Sequence, residues 1–205
     1  MREIRVGQPA VGRTLLAFIA VASFFAISPA ARAQEYAFTF DPAATQVDFT
    51  LAATLHTVHG TMNLKNGQIR FDPSTGTASG RVIVDATSAE TGNKSRDRKM
   101  HKQILRSALY PRVVFTARHV SGAIRPTGAS HVELSGAFEL EGHDHPMTLF
   151  VSVTRAGAGA RVQATTKFAV PYEQWGLKNP NTFILRVSNH VEMIINATGQ
   201  LTTIH

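Results

Sequence analysis

Seven cations, Lys94, Arg96, Arg98, Lys99, Lys102, Arg106 and Arg112, fall within nineteen residues and are opposed only by Asp97. Side chains of this kind near a helix start hold phosphate and similar anions through charge-assisted hydrogen bonds and backbone donors. What they offer is binding: a site for an anionic head group, or docking on an anionic membrane surface. A solvated helix face is the competing explanation. No series of stacking aromatics and no nucleic-acid-binding sheet motif accompanies the run, which argues against nucleic acid.

Histidine is the second candidate. His56 and His59 are three apart, His101 lies in the basic run, and His143-Asp144-His145-Pro146 stands between two strand-like patterns. Imidazoles with a carboxylate bind zinc, copper or nickel, so a metal-binding or redox-accessory protein is the main alternative function. Such a site needs three or four converging ligands. On a regular strand His56 and His59 face opposite sides, and His143 and His145 fit a turn. Polar surface histidines are therefore expected, with no metal site and no cofactor.

Nucleophilic chemistry finds little support. The chain has no cysteine, which excludes a thiol nucleophile, a disulfide framework and cysteine-based metal sites. There is no Gly-x-Ser-x-Gly elbow and no phosphate-binding glycine loop, and nothing singles out two of the carboxylates as a glycosidase pair. A binding protein is expected rather than an enzyme.

The N-terminus follows the layout of a cleaved secretory leader. Arg2, Arg5 and Arg13 form a basic region, Leu15 to Ile27 is almost wholly apolar, and Ala31-Arg32-Ala33 supplies a small-x-small cleavage pattern. Cleavage after Ala33 leaves a single domain, 34–205, with all nine histidines and a mildly basic balance. Export without disulfides fits a bacterial periplasm.

The elements that must position these groups are mostly strands. Period-2 sets recur: Tyr36/Phe38/Phe40, Val47/Phe49/Leu51, Val82/Val84, Val113/Phe115, Val132/Leu134, Phe138/Leu140, Met147/Leu149/Val151/Val153, Phe168/Val170, Phe183/Leu185/Val187 and Val191/Met193/Ile195. Such alternation marks strands with one buried face. Turn signals fall at Asp41-Pro42, Asn66-Gly67, Asp72 to Gly76, Gly157 to Gly159 and Asn179 to Asn181. An antiparallel sandwich or barrel follows. Its inward set draws on Phe38, Phe40, Phe49, Phe71, Phe115, Phe138, Phe150, Phe168 and Phe183, which could fill the interior or surround a ligand. Three Tyr and one Trp supply no aromatic girdles for an outer-membrane barrel. Residues 95–109 differ: Met100, Ile104, Leu105 and Leu109 sit at helical spacing, Ser95 or Asp97 could cap the start, and Pro111 ends the segment.

Four segments resemble the YceI-like family of secreted bacterial lipid-binding proteins. They are Phe40-Asp41-Pro42-Ala43 with Val47 and Phe49; Thr91-Gly92-Asn93 with Arg96-Asp97 and Met100-His101, then Tyr110-Pro111; Gly136 with Phe138, Leu140, Gly142-His143 and Pro146-Met147; and Trp175 to Pro180 with Leu185-Arg186-Val187-Ser188. The resemblance implies an all-β, antiparallel eight-stranded lipocalin-like barrel with one short amphipathic helix. It also implies a lumen for an isoprenoid or other long amphiphile, such as a prenyl diphosphate or quinone. Combined with the alternation, it points to Phe38, Phe40, Phe49, Phe115, Phe138, Leu149, Phe168, Trp175 and Phe183 around the tail and Arg96, Arg98 and Lys102 around the head. Many relatives carry an acidic, aromatic stretch where this chain has Gln103 to Leu109, a departure that favours an anionic head group. A structural stress protein with a filled barrel is the third reading.

Overall fold

The computed structural model describes residues 34–155, 160–180 and 186–204. The leader, Phe183, Leu185 and the Gly157 to Gly159 turn signal lie outside the described residues. The strands are β1 (Glu35–Phe40), β2 (Gln46–Leu51), β3 (Val58–Asp72), β4 (Thr77–Glu90), β5 (Arg112–Ser121), β6 (Gly128–Leu140), β7 (His143–Arg155), β8 (Arg161–Val170) and β9 (Val191–Ile204), with α1 (Lys94–Lys99) between β4 and β5.

All pairings are antiparallel, and each strand from β3 to β9 pairs with the next. β1 and β2 both lie between β3 and β9, so they are two halves of one stave that closes an eight-stranded barrel. The break between them is a turn at Pro42–Ala44. The Asp41 carboxylate accepts from the Ala43 N–H at 3.1 Å, and the Asp41 N–H donates to the Thr198 carbonyl at 2.8 Å. The turn is thus pinned to β9, and the chain resumes in the same place in the sheet.

Asn66-Gly67, expected to be a turn, lies inside β3. The register shifts between Leu64 and Asn66, and pairing with β4 continues on both sides. A one-residue bulge switches which side chains face in. The inward series passes from Met62 and Leu64 to Gly67, Ile69 and Phe71, so both phases stay buried. Asp72 to Gly76 does turn: the Asp72 carboxylate accepts from the Ser74 N–H and hydroxyl, and Gly76 adopts a φ of 73°.

The alternation otherwise holds. Val82, Val84, Phe115, Val132, Phe138, Leu149, Val153 and Val170 are buried inside the barrel. The outward positions of β8 are Arg161, Gln163, Thr165 and Lys167, the reverse of a wall that faces lipid. Phe150 is a correction to the inward set. It is 66% exposed, because its neighbours Leu149 and Val151 occupy the inward phase of β7. Close packing of the rings depends on glycines set against them. A Cβ at Gly60 would run into the Phe49 ring, and one at Gly136 would lie 2.9 Å from the Phe115 ring.

The helix is shorter than the 95–109 spacing predicts. α1 is capped by Asn93, whose side chain accepts from the Ser95 and Arg96 N–H groups, rather than by Ser95 or Asp97. It continues as a wider turn over Met100–Ile104 and stops at Leu105. Arg106 then takes a φ of 43°, and its guanidinium pairs with both Glu141 oxygens at 2.8 and 2.9 Å. That contact with the β6–β7 turn diverts the chain, so Leu109 is 71% exposed instead of completing the apolar stripe.

Candidate functional site

Two cavities bounded by the described residues lie in the barrel interior. One, about 130 Å³, is lined by Phe38, Phe40, Phe71, Phe115, Val132 and Leu149 among others. The second, about 350 Å³, reaches the end of the barrel near α1 and is lined by Phe49, Leu51, Met100, Ile104, Leu140 and Tyr172 among others. Val84, Val113, Phe138, Phe168 and Ile195 belong to both walls, so the cavities lie in tandem along one lumen. Thr166 is the polar residue on the wall of the smaller cavity, and its hydroxyl is committed to the Phe150 carbonyl at 2.9 Å. That compartment therefore offers only apolar surface. An apolar cavity of about 150 Å³ is large enough to stay dry and accept a benzene-sized guest.

Polarity is confined to the larger cavity's open side, where His56, Thr91, Ser95, Arg96 and Lys99 meet the apolar wall. Arg96, Lys99 and Met100 are related by three and four residues, so one face of the helix presents them together. The Arg96 guanidinium donates to the Thr91 hydroxyl at 2.7 Å and to the Thr91 carbonyl at 3.0 Å. The Asp97 carboxylate accepts from the same hydroxyl and from the Thr91 N–H.

His101 donates through Nε2 to the Ala89 carbonyl at 2.9 Å, which leaves Nδ1 to accept from the Ser107 hydroxyl at 2.9 Å. Thr91, Asn93, Arg96, Asp97 and His101 thus form the polar scaffold that holds the helix over the lumen and fixes its azimuth. The Arg106 guanidinium lies over the Tyr110 ring, 4.9 Å from its centroid.

The other side of the same rim is built from the β8–β9 connection. Tyr172 donates its hydroxyl to the Ser188 carbonyl at 2.6 Å. Burial, followed by the nearby Glu173 charge, pushes the Tyr172 phenol up to about 12. His145 stacks on Trp175 with centroids 4.0 Å apart and planes 4° from parallel. Burial, followed by the His143 charge, lowers the His145 pKa, and Asp144 opposes part of that shift. The Nε2 atom of His145 is buried and has no hydrogen-bond partner.

The lumen brings together Phe38, Phe40, Phe49, Phe115, Phe138, Leu149, Phe168 and Arg96 from the sequence-based set. Trp175 lines neither cavity; its ring lies 5.7 Å from Phe138 and packs against the edge of the core. Arg98 and Lys102 are exposed and off the cavity wall, because they fall on the other side of the helix from Met100. Lys99 takes the place expected of them, and Arg96/Lys99/Met100 spacing is the signal that distinguishes it.

Tyr172 and Leu177 were missed, since the 171–180 connection has no periodicity to read. The two rim histidines lie in strand β7 rather than in a turn, paired with Leu140 and Phe138. His56 lines the larger cavity, and His59 faces Thr50 at 3.2 Å. Among the described residues, no three His, Asp or Glu side chains converge on a common point.

A closed antiparallel barrel of eight strands with a hollow apolar lumen is a lipocalin-like architecture. The chain belongs to the YceI-like domain family, whose model matches residues 38–199. Several solved structures share the fold, among them the following three. Burkholderia cenocepacia BcnA is 17% identical, with a TM-score of 0.63 over 78% of this chain and 98% of that one. A polyisoprenoid binding domain from Saccharophagus degradans, implicated in plant cell wall breakdown, is 15% identical, with a TM-score of 0.58 over 80% and 98%. A Campylobacter jejuni YceI protein is 16% identical, with a TM-score of 0.56 over 74% and 88%. No curated protein matches the chain.

Proposed function

We propose that this protein is a periplasmic binding or carrier protein for a long isoprenoid-type amphiphile, of the prenyl diphosphate or quinone class. The observation that carries this reading is the tandem lumen: two apolar cavities with shared walls, open at one end beside Arg96 and Lys99. The tail leaves water for the lumen, gaining about 25 cal/mol per Å² of apolar surface removed, and part of that gain offsets the ordering of the chain. The head group remains at the rim, where Arg96 and Lys99 favour an anion. No bond is made or broken, so the role is sequestration rather than catalysis. Family membership and the polyisoprenoid binding domain of the same fold support the ligand class. The leader pattern at 1–33 supports export to the periplasm.

The test is purification from the periplasm after expression with the chain's own leader, without detergent, followed by native mass spectrometry and mass spectrometry of an organic extract. A stoichiometric prenyl chain or quinone supports the proposal. Protein that carries no organic molecule and also takes up no added prenyl lipid overturns it.

A further inference from the structure

The antiparallel meander places the β2–β3, β4–β5, β6–β7 and β8–β9 connections at one end of the barrel, and residues of the first, second and fourth surround the open side of the larger cavity. The charge of the domain is concentrated there. Residues 94–112 hold seven Lys and Arg against one Asp, whereas the rest of 34–205 holds ten against twelve Asp and Glu. The helix divides its cations between two faces. Arg96 and Lys99 line the cavity, while Lys94, Arg98 and Lys102, four apart, are exposed and off its wall.

Two leucines share this end. Leu55 in the β2–β3 connection is 73% exposed, and Leu109 before β5 is 71% exposed. An acidic protein or a nucleic acid would use the cations but gives no role to leucines beside an apolar opening. A bilayer uses both, since apolar side chains enter the headgroup boundary and Lys and Arg meet anionic lipid.

We propose that this end of the barrel docks on an anionic lipid bilayer, with the cavity opening toward the membrane and Lys94, Arg98, Lys102, Leu55 and Leu109 as the contact set. The inference rests on the lumen reading only for its consequence, that an amphiphile passes between bilayer and lumen with little exposure to water. Docking itself needs no cargo.

The experiment is co-sedimentation of the exported, purified protein with vesicles of phosphatidylglycerol and phosphatidylcholine or of phosphatidylcholine alone, at low and high salt. The expected result is binding to the anionic vesicles that weakens with salt. The K94Q/R98Q/K102Q variant should lose affinity by roughly fivefold per cation, about a hundredfold in all. The L55S/L109S variant, with its charge intact, should lose at least about tenfold.

R81Q/R118Q/R161Q, which removes exposed cations elsewhere on the barrel, should bind as the unmodified protein does. Equal binding to both vesicle types overturns the proposal, as does a helix triple variant that binds normally. Capture by heparin without vesicle binding also overturns it and assigns the patch to an acidic polymer. Uptake of a neutral prenyl alcohol, measured without vesicles, separates the two readings. Docking without uptake refutes only the lumen, and uptake without docking refutes only this surface.

Discussion

Phe138 and Phe150 are the same residue type on adjacent strands, and the alternation puts them on opposite sides of the barrel wall. Phe138 is 7% exposed, lines both cavities, and its ring lies 6.0 Å from Phe168 and 5.7 Å from Trp175. Phe150 is 66% exposed. Truncating a core phenylalanine to alanine costs about 3–5 kcal/mol from lost transfer energy and the void left behind. One flank of Phe138 already borders open lumen, so fewer contacts are lost there than in a filled core, and the lower end, about 3 kcal/mol, applies. For a domain of this size each kcal/mol lowers Tm by about 2–4 °C, so Phe138→Ala should melt roughly 6–12 °C early.

Phe150→Ala should change stability by less than about 0.5 kcal/mol, as surface substitutions do. Urea and thermal unfolding of both variants, followed by far-ultraviolet circular dichroism, measure the difference. Equal losses in the two variants, or a larger loss for Phe150→Ala, would refute the assignment of inside and outside on β6 and β7.

Further expectations concern the rim and the packing. Because the folded-state pKa of His145 lies below its ordinary 6.5, the unfolded chain takes up the proton first. Stability should therefore be complete above pH 6.5 and fall as the pH drops from there toward the lowered value; urea midpoints across that window should show a slope that His145→Phe reduces. The Tyr172 phenol should ionise near pH 12, as a late step in ultraviolet titration that disappears in Tyr172→Phe. That variant also strands the Ser188 carbonyl and should lose about 1–3 kcal/mol. Gly60→Ala forces a methyl group into the Phe49 ring and should cost about 1–3 kcal/mol as overpacking, read from its denaturation midpoint. In binding assays with anionic and neutral prenyl lipids, R96Q/K99Q should lower preference for the anion, and R98Q/K102Q should leave that preference unchanged.

Much of this molecule was written in local order. The period-2 sets gave the inward phase of β2 and of β4 to β9, because a pleated strand alternates its faces whatever its neighbours are, but they left out Val120, Val162, Ala164, Ala197 and Leu201 of the lumen wall. The family motif also marked its residues correctly, although much of their work is structural: Asn93, Asp97 and His101 brace the helix rather than touch the lumen, and Thr91 both braces it and lines the cavity.

Three features were decided only by tertiary structure. Asn66-Gly67 stayed extended because pairing with β4 on both sides outweighed a local turn preference, and the extra residue became a bulge. The helix stopped early because Arg106 found Glu141, thirty-five residues away in sequence. The choice of Arg96 and Lys99 over Arg98 and Lys102 followed from the azimuth at which Thr91 and Ala89 anchor the helix. Alternation is a property of neighbouring residues and can be read along the chain. Azimuth, register and the volume left between facing strands depend on contacts between distant residues, which only the closed barrel brings together.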